Sequence, residues 1–138
     1  MEEPPRIADA DAALGRAFPL PQAQLPLARW VDVTLHEGGA EIAWALDDSR
    51  AGTPGRIALF AGTKPAPARD FPQDAKASTT TIDGRQATVR SAPLAEAEPS
   101  LRPVTELSWS GGDLHLRLTA QGAWTLDQLV AIAASIPR

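Results

Sequence analysis

The chain has 138 residues, 43% of them apolar and 22% charged, the size and balance of one globular domain with its own core. Its formal net charge is −4 and its thirteen basic residues are spread singly, so no clustered positive field marks a nucleic-acid surface. There is no cysteine, which excludes disulfides, thiolate catalysis and cysteine-held metals.

No run nears the roughly 18 apolar residues that span a bilayer. The acidic start Met1-Glu2-Glu3-Pro4-Pro5 is unlike the basic start of a signal peptide. Such a start fits a natural N-terminus, and equally a chain whose anchor has been removed. Residues 1–6 are expected to be flexible.

Residues 7–18 carry Ala10, Ala13, Leu14, Ala17 and Phe18 at helical spacing, and Gly15 or Pro19 would end the helix. The prolines of P-L-P-Q-A-Q-L-P then favour an extended connector. From Trp30 the apolar period changes to two. Val31, Val33 and Leu35 share one strand face, and Ile42, Trp44 and Leu46 share a face of the next strand. A turn at Gly38-Gly39 would set Leu35 opposite Ile42, Val33 opposite Trp44 and His36 opposite Glu41.

Ile57 to Ala61 is apolar on both faces, which predicts a central strand covered on both sides. Residues 62–78 have no period, and Phe71 is their only large apolar group. Asp83-Gly84 between Thr-rich strands predicts a hairpin at a sheet edge. A second proline-rich connector leads to V-T-E-L-S-W-S, Gly111-Gly112 and D-L-H-L-R-L-T, two more alternating strands. A Gly111-Gly112 turn would pair Trp109 with Leu114, Leu107 with Leu116, Ser108 with His115 and Glu106 with Arg117. The last element is a helix over 125–136. Thr125 and Gln128 form a capping box, and Trp124 and Leu129 a hydrophobic staple. Leu126, Leu129, Val130, Ala133 and Ile136 make the stripe that faces the sheet.

These elements predict a single α+β domain over 1–138. A curved antiparallel sheet of about six or seven strands fills residues 30–119. The C-terminal helix packs on one face, and the short N-terminal helix lies near it or across an end.

The chemistry is sparse. His36 and His115 are the only histidines, and both fall on polar strand faces beside turns. They would need to converge with Glu41 or Glu106 to hold a metal, so the expectation is no metal site and no cofactor. No G-x-S-x-G occurs, and Ser108 near His115 lacks a third member, so no residue is assigned as catalytic. The glycine-rich stretches 52–55 and 62–64 match no phosphate-binding loop. Trp44, Trp109 and Trp124 are assigned to packing. Trp30, which alternation places on the polar side, and Phe71 remain as candidates for an exposed aromatic contact.

Four stretches occur in order: A-D-A-A-L-G-R-A-F-P-L-P, P-G-R-I-A-L-F-A-G, I-D-G-R-Q-A-T-V-R, and E-L-S-W-S-G-G-D-L-H-L-R-L-T-A-Q-G-A-W-T-L-D-Q-L-V-A-I-A-A-S-I. Together they resemble an uncharacterised extracytoplasmic domain of bacterial membrane proteins, found in anti-sigma-factor-like chains of Gram-positive bacteria. The closing stretch carries the most specific part of the likeness. It implies a short helix and an extended segment before an antiparallel sheet, then a closing helix. By function it implies a sensory or interaction module outside the membrane, tethered by a transmembrane helix outside this chain, with no catalytic residue to carry over.

The leading expectation is therefore a non-enzymatic extracytoplasmic module that binds a protein partner or small ligand. The other is a small-molecule or lipid carrier, with an apolar cavity between sheet and helix lined by residues such as Trp44, Phe60 and Leu116.

Overall fold

The computed structural model describes residues 7–20, 28–46, 56–65, 76–82, 84–92, 104–111, 113–121 and 125–136. In chain order they form α1 (Ile7–Leu14), β1 (Ala28–His36), β2 (Gly39–Leu46), β3 (Arg56–Gly62), β4 (Lys76–Ile82), β5 (Arg85–Ala92), β6 (Val104–Gly111), β7 (Leu114–Gln121) and α2 (Leu126–Ala134). The strands make one antiparallel sheet in the order β1-β2-β3-β7-β6-β5-β4. Two meanders, β1 to β3 and β4 to β7, meet where β7 inserts beside β3. This is the expected α+β class, with seven strands. Residues 1–6, Phe71 and Trp124 lie outside the described residues.

Both helices contribute to one core on one face of the sheet. Ala10 and Leu14 of α1 join Leu129, Ile132 and Ala133 of α2 over Val33, Ile42, Leu59, Leu118 and Leu107. The register explains this stripe. Val33 pairs with Ile42, Ile42 with Leu59, Leu59 with Leu118 and Leu118 with Leu107, one apolar row across five strands. α1 lies over β1 and β2, and α2 touches β4 and β7.

Of the two stops the sequence offers, Gly15 and not Pro19 ends the N-terminal helix, which closes at Leu14 and not at residue 18. Gly15 takes φ +80° and its N–H donates to Asp11 O at 2.9 Å, a left-handed stop that the following residues cannot extend. The Phe18 N–H then donates to the Asp11 carboxylate at 2.7 Å, which helps hold Phe18 in the core although it is outside the helix.

Two turns also sit one residue away from their expected places. The first is Glu37-Gly38, so His36 pairs with Gly39, Leu35 with Ala40, Val33 with Ile42 and Thr34 with Glu41. Only Gly38 takes positive φ. Gly39 is instead a strand residue pressed on β3, where a Cβ would come within 2.5 Å of Ala61 O. In the second, Gly111 pairs with Leu114, so Trp109 pairs with Leu116, Leu107 with Leu118, Ser108 with Arg117 and Glu106 with Thr119. Each register moves by two, which leaves every side chain on its expected face. The hairpin of β4 and β5 forms as expected, with Ile82 opposite Arg85 and β4 at the sheet edge.

α2 carries the capping box read from the sequence. The Thr125 hydroxyl accepts from Gln128 N at 3.2 Å, and the Thr125 N–H donates to Gln128 Oε1 at 2.9 Å. Its buried stripe is Leu129, Ile132, Ala133 and Ile136, with Val130 packed at the margin. Leu126 is exposed, because the helix rolls Ile132 inward in its place.

Leu129→Ala should lower unfolding free energy by about 2–5 kcal/mol, while Thr125→Ala should cost about 1 kcal/mol. Denaturant melts of the two variants check both the core assignment and the cap.

Candidate ligand cleft on the polar face of the sheet

The face turned away from the helices carries the polar half of the alternation. Along one row, Glu41 of β2 pairs with Phe60 of β3, Phe60 with Arg117 of β7, and Arg117 with Ser108 of β6. Glu106 lies two residues before Ser108 and pairs with Arg90 of β5. Strand pleating thus sends Glu41, Phe60, Arg117, Glu106 and Arg90 to one side, with acids and bases alternating across the sheet.

These groups are largely withdrawn from water. Glu106 is 3% exposed and Arg117 8%, and Phe60 is buried with them. Arg90 Nη2 donates to Glu106 Oε1 at 2.8 Å. Arg117 Nη2 donates to Glu41 Oε2 at 3.3 Å, and its Nη1 stands 4.0 Å from Glu106 Oε2. To reach Glu41 from β7, the Arg117 side chain must cross β3. Its guanidinium carbon lies 5.9 Å from the Phe60 ring centroid, so the aromatic face supports the cation midway. The same ring meets His36 in a T-shaped contact, with centroids 5.5 Å apart. Only Gly39 stands opposite His36, so no side chain of β2 blocks the imidazole there.

A cleft of about 300 Å³ opens on this network. Phe60, Arg90, Glu106, Ser108, His115 and Arg117 supply its functional groups. It offers guanidinium donors, a carboxylate acceptor, a hydroxyl, an imidazole and one aromatic face. Such a mixture can hold a small polar molecule by several hydrogen bonds at once.

The structure separates several residues that the sequence brought under one heading. His36, Gly39, Gly62 and His115 lie in one register row over β1, β2, β3 and β7. Three strand spacings put the two histidine backbones roughly 14 Å apart, too far for one metal ion. Among the described residues no group of three His, Asp or Glu is placed to hold a metal. The direct partner of His115 is Ser110 and that of Ser108 is Arg117, which corrects the expected Ser108–His115 pair. Trp30 falls in β1 opposite Ala45, and its side chain is not among those described. Trp109 is core, and Trp44 packs against the core, as expected.

Phe60 and Leu116 border the same cleft, whereas Trp44 packs against the helix-side core and does not reach it.

Removing Arg117 would take one of its neighbouring cations away from the buried Glu106 carboxylate. Arg117→Ala should therefore destabilise the fold by about 3–5 kcal/mol, far more than Lys64→Ala, whose pair with Glu37 at 2.9 Å is exposed and worth ~1 kcal/mol or less. Paired urea titrations would show equal losses if the network were a surface feature.

Comparisons with protein-family models, with curated proteins and with solved structures gave no match to this chain.

Proposed function

We propose that the chain is a non-enzymatic binding module of an extracytoplasmic, membrane-linked regulatory protein, and that the polar cleft is where it takes a small ligand. One observation carries the ligand site: a charge network with Glu106 only 3% exposed lines an open cleft of about 300 Å³. Burying ions is costly unless they are paired and hydrogen-bonded, so sequences that build such networks for packing alone have cheaper apolar solutions. The alternation of Glu41, Arg117, Glu106 and Arg90 suits a ligand that offers both donors and acceptors. Amino acids, short peptides and sugars are the classes that meet this description.

The extracytoplasmic setting rests on the resemblance of the closing hairpin and helix. Among the described residues, no helix is long and apolar enough to cross a membrane. The same resemblance implies a tether outside this chain.

Heteronuclear NMR titration with panels of amino acids, short peptides and sugars tests the cleft. The expected result is saturable shifts centred on Phe60, Ser108, His115 and Arg117, lost in Arg90→Ala. Saturable shifts clustered on the helix face instead would sink the assignment.

The setting has its own test, because the chain contains no cysteine. Thr81→Cys, on an exposed edge position, should react with a membrane-impermeant maleimide in intact cells of the source organism. Labelling only after lysis would contradict an extracytoplasmic location.

A further inference from the structure

The two edges of the sheet differ in kind. β4 presents Thr79 and Thr81, both exposed and polar. β1 presents Val31 at 42% and Leu35 at 45% exposure, beside the buried Val33. No described residue pairs with the outer side of β1. Natural edge strands are normally short, charged, bulged, prolyl or covered; β1 is irregular between Ala28 and Trp30 and carries Asp32, but over Val31 to Leu35 it is regular, free of proline and exposes two aliphatic side chains.

The ladder fixes which backbone groups that edge offers. The two-residue turn Glu37-Gly38 makes His36 and Gly39 a hydrogen-bonded pair. Alternation along an antiparallel pair then gives Thr34, Asp32 and Trp30 to β2, and turns the N–H and C=O of Val31, Val33 and Leu35 outward. The outward backbone groups thus belong to the same three residues that carry the apolar side chains.

We infer that β1 is a dimer edge, and that its partner is the β1 of a second copy of this chain. The copies run antiparallel about a two-fold axis at Val33. In that register Val33 exchanges both hydrogen bonds with Val33 of the second copy, and Val31 does so with Leu35 of the second copy. Val31 and Leu35 cover one another on the helix side. On the polar side Asp32 faces Thr34 of the second copy.

Other two-fold registers with outward-facing centres match less well. An axis at Leu35 sets Glu37 against Val33, and an axis at Val31 sets Leu35 against residue 27, outside the strand. The self-complementarity of V-D-V-T-L about its central valine favours this chain over an unrelated strand. The dimer doubles the sheet and leaves the polar cleft of each copy on the same continuous face.

Sedimentation equilibrium of the full chain over a dilution series tests the inference. The expected mass is a dimer whose dissociation constant rises at least about tenfold in Leu35→Lys, the loss of two symmetry-related aliphatic pairs. A monomer at every concentration would overturn it, leaving the edge to another protein. So would a dimer that neither Leu35→Lys nor Val31→Lys weakens. The register has a separate readout, because residues 32 and 34 form a non-hydrogen-bonded pair across the axis, with Cα atoms about 4.5 Å apart. Asp32→Cys mixed with Thr34→Cys should form the mixed disulfide faster than either variant forms its own. Equal rates would overturn the axis at Val33.

Discussion

The carboxylate of Glu106 sits in the middle of a seven-stranded sheet with 3% of its surface exposed, and the polar face is arranged around neutralising it. An isolated ion in that position would cost several kcal/mol. Arg90 answers it from β5 and Arg117 from β7, and Arg117 is itself answered by Glu41 across β3. That last reach works because the residue between them is Phe60, whose ring gives the guanidinium something to lie on. The chain of charges is therefore tied to strand order. Only a sheet with β7 between β3 and β6 brings Arg117 within range of both carboxylates.

Much of this architecture is legible in the sequence, at the level of faces more than of pairs. Alternation assigns Val33, Ile42, Leu107, Leu116 and Leu118 to one side, and the structure keeps them there. At both glycine doublets the pairs lie two positions from the expected register. Either glycine of a doublet can supply a turn. At the first, Gly39 sits in the strand against the backbone of Ala61, a residue more than twenty positions away and a neighbour that local sequence does not name. Since pleated strands repeat every two residues, the error cost no face assignment.

The site was harder to see. Glu106 and Arg117 look like an ordinary solvent-facing cross-strand pair when only two strands are considered. Their burial comes from the width of the sheet on both sides and from Phe60 between Arg117 and Glu41. One signal did point there. β3 is apolar on both faces, so whatever lies beside Phe60 on the second face must share its shelter. The start of the C-terminal helix was legible for the opposite reason, because Thr125 and Gln128 act within three residues of one another.

The position of β7 has a consequence for how the chain is made. It is the last strand to be synthesised and it occupies an interior place, between β3 and β6. Until it leaves the ribosome, β3 has an open apolar edge and the two meanders cannot join. Folding of this domain must therefore wait for nearly the whole chain, since local hairpins can form early but the long-range ladder cannot. A nascent chain stalled before Leu114 would display Ile57, Leu59 and Phe60 along an unsatisfied edge, the kind of surface that chaperones hold and proteases clear.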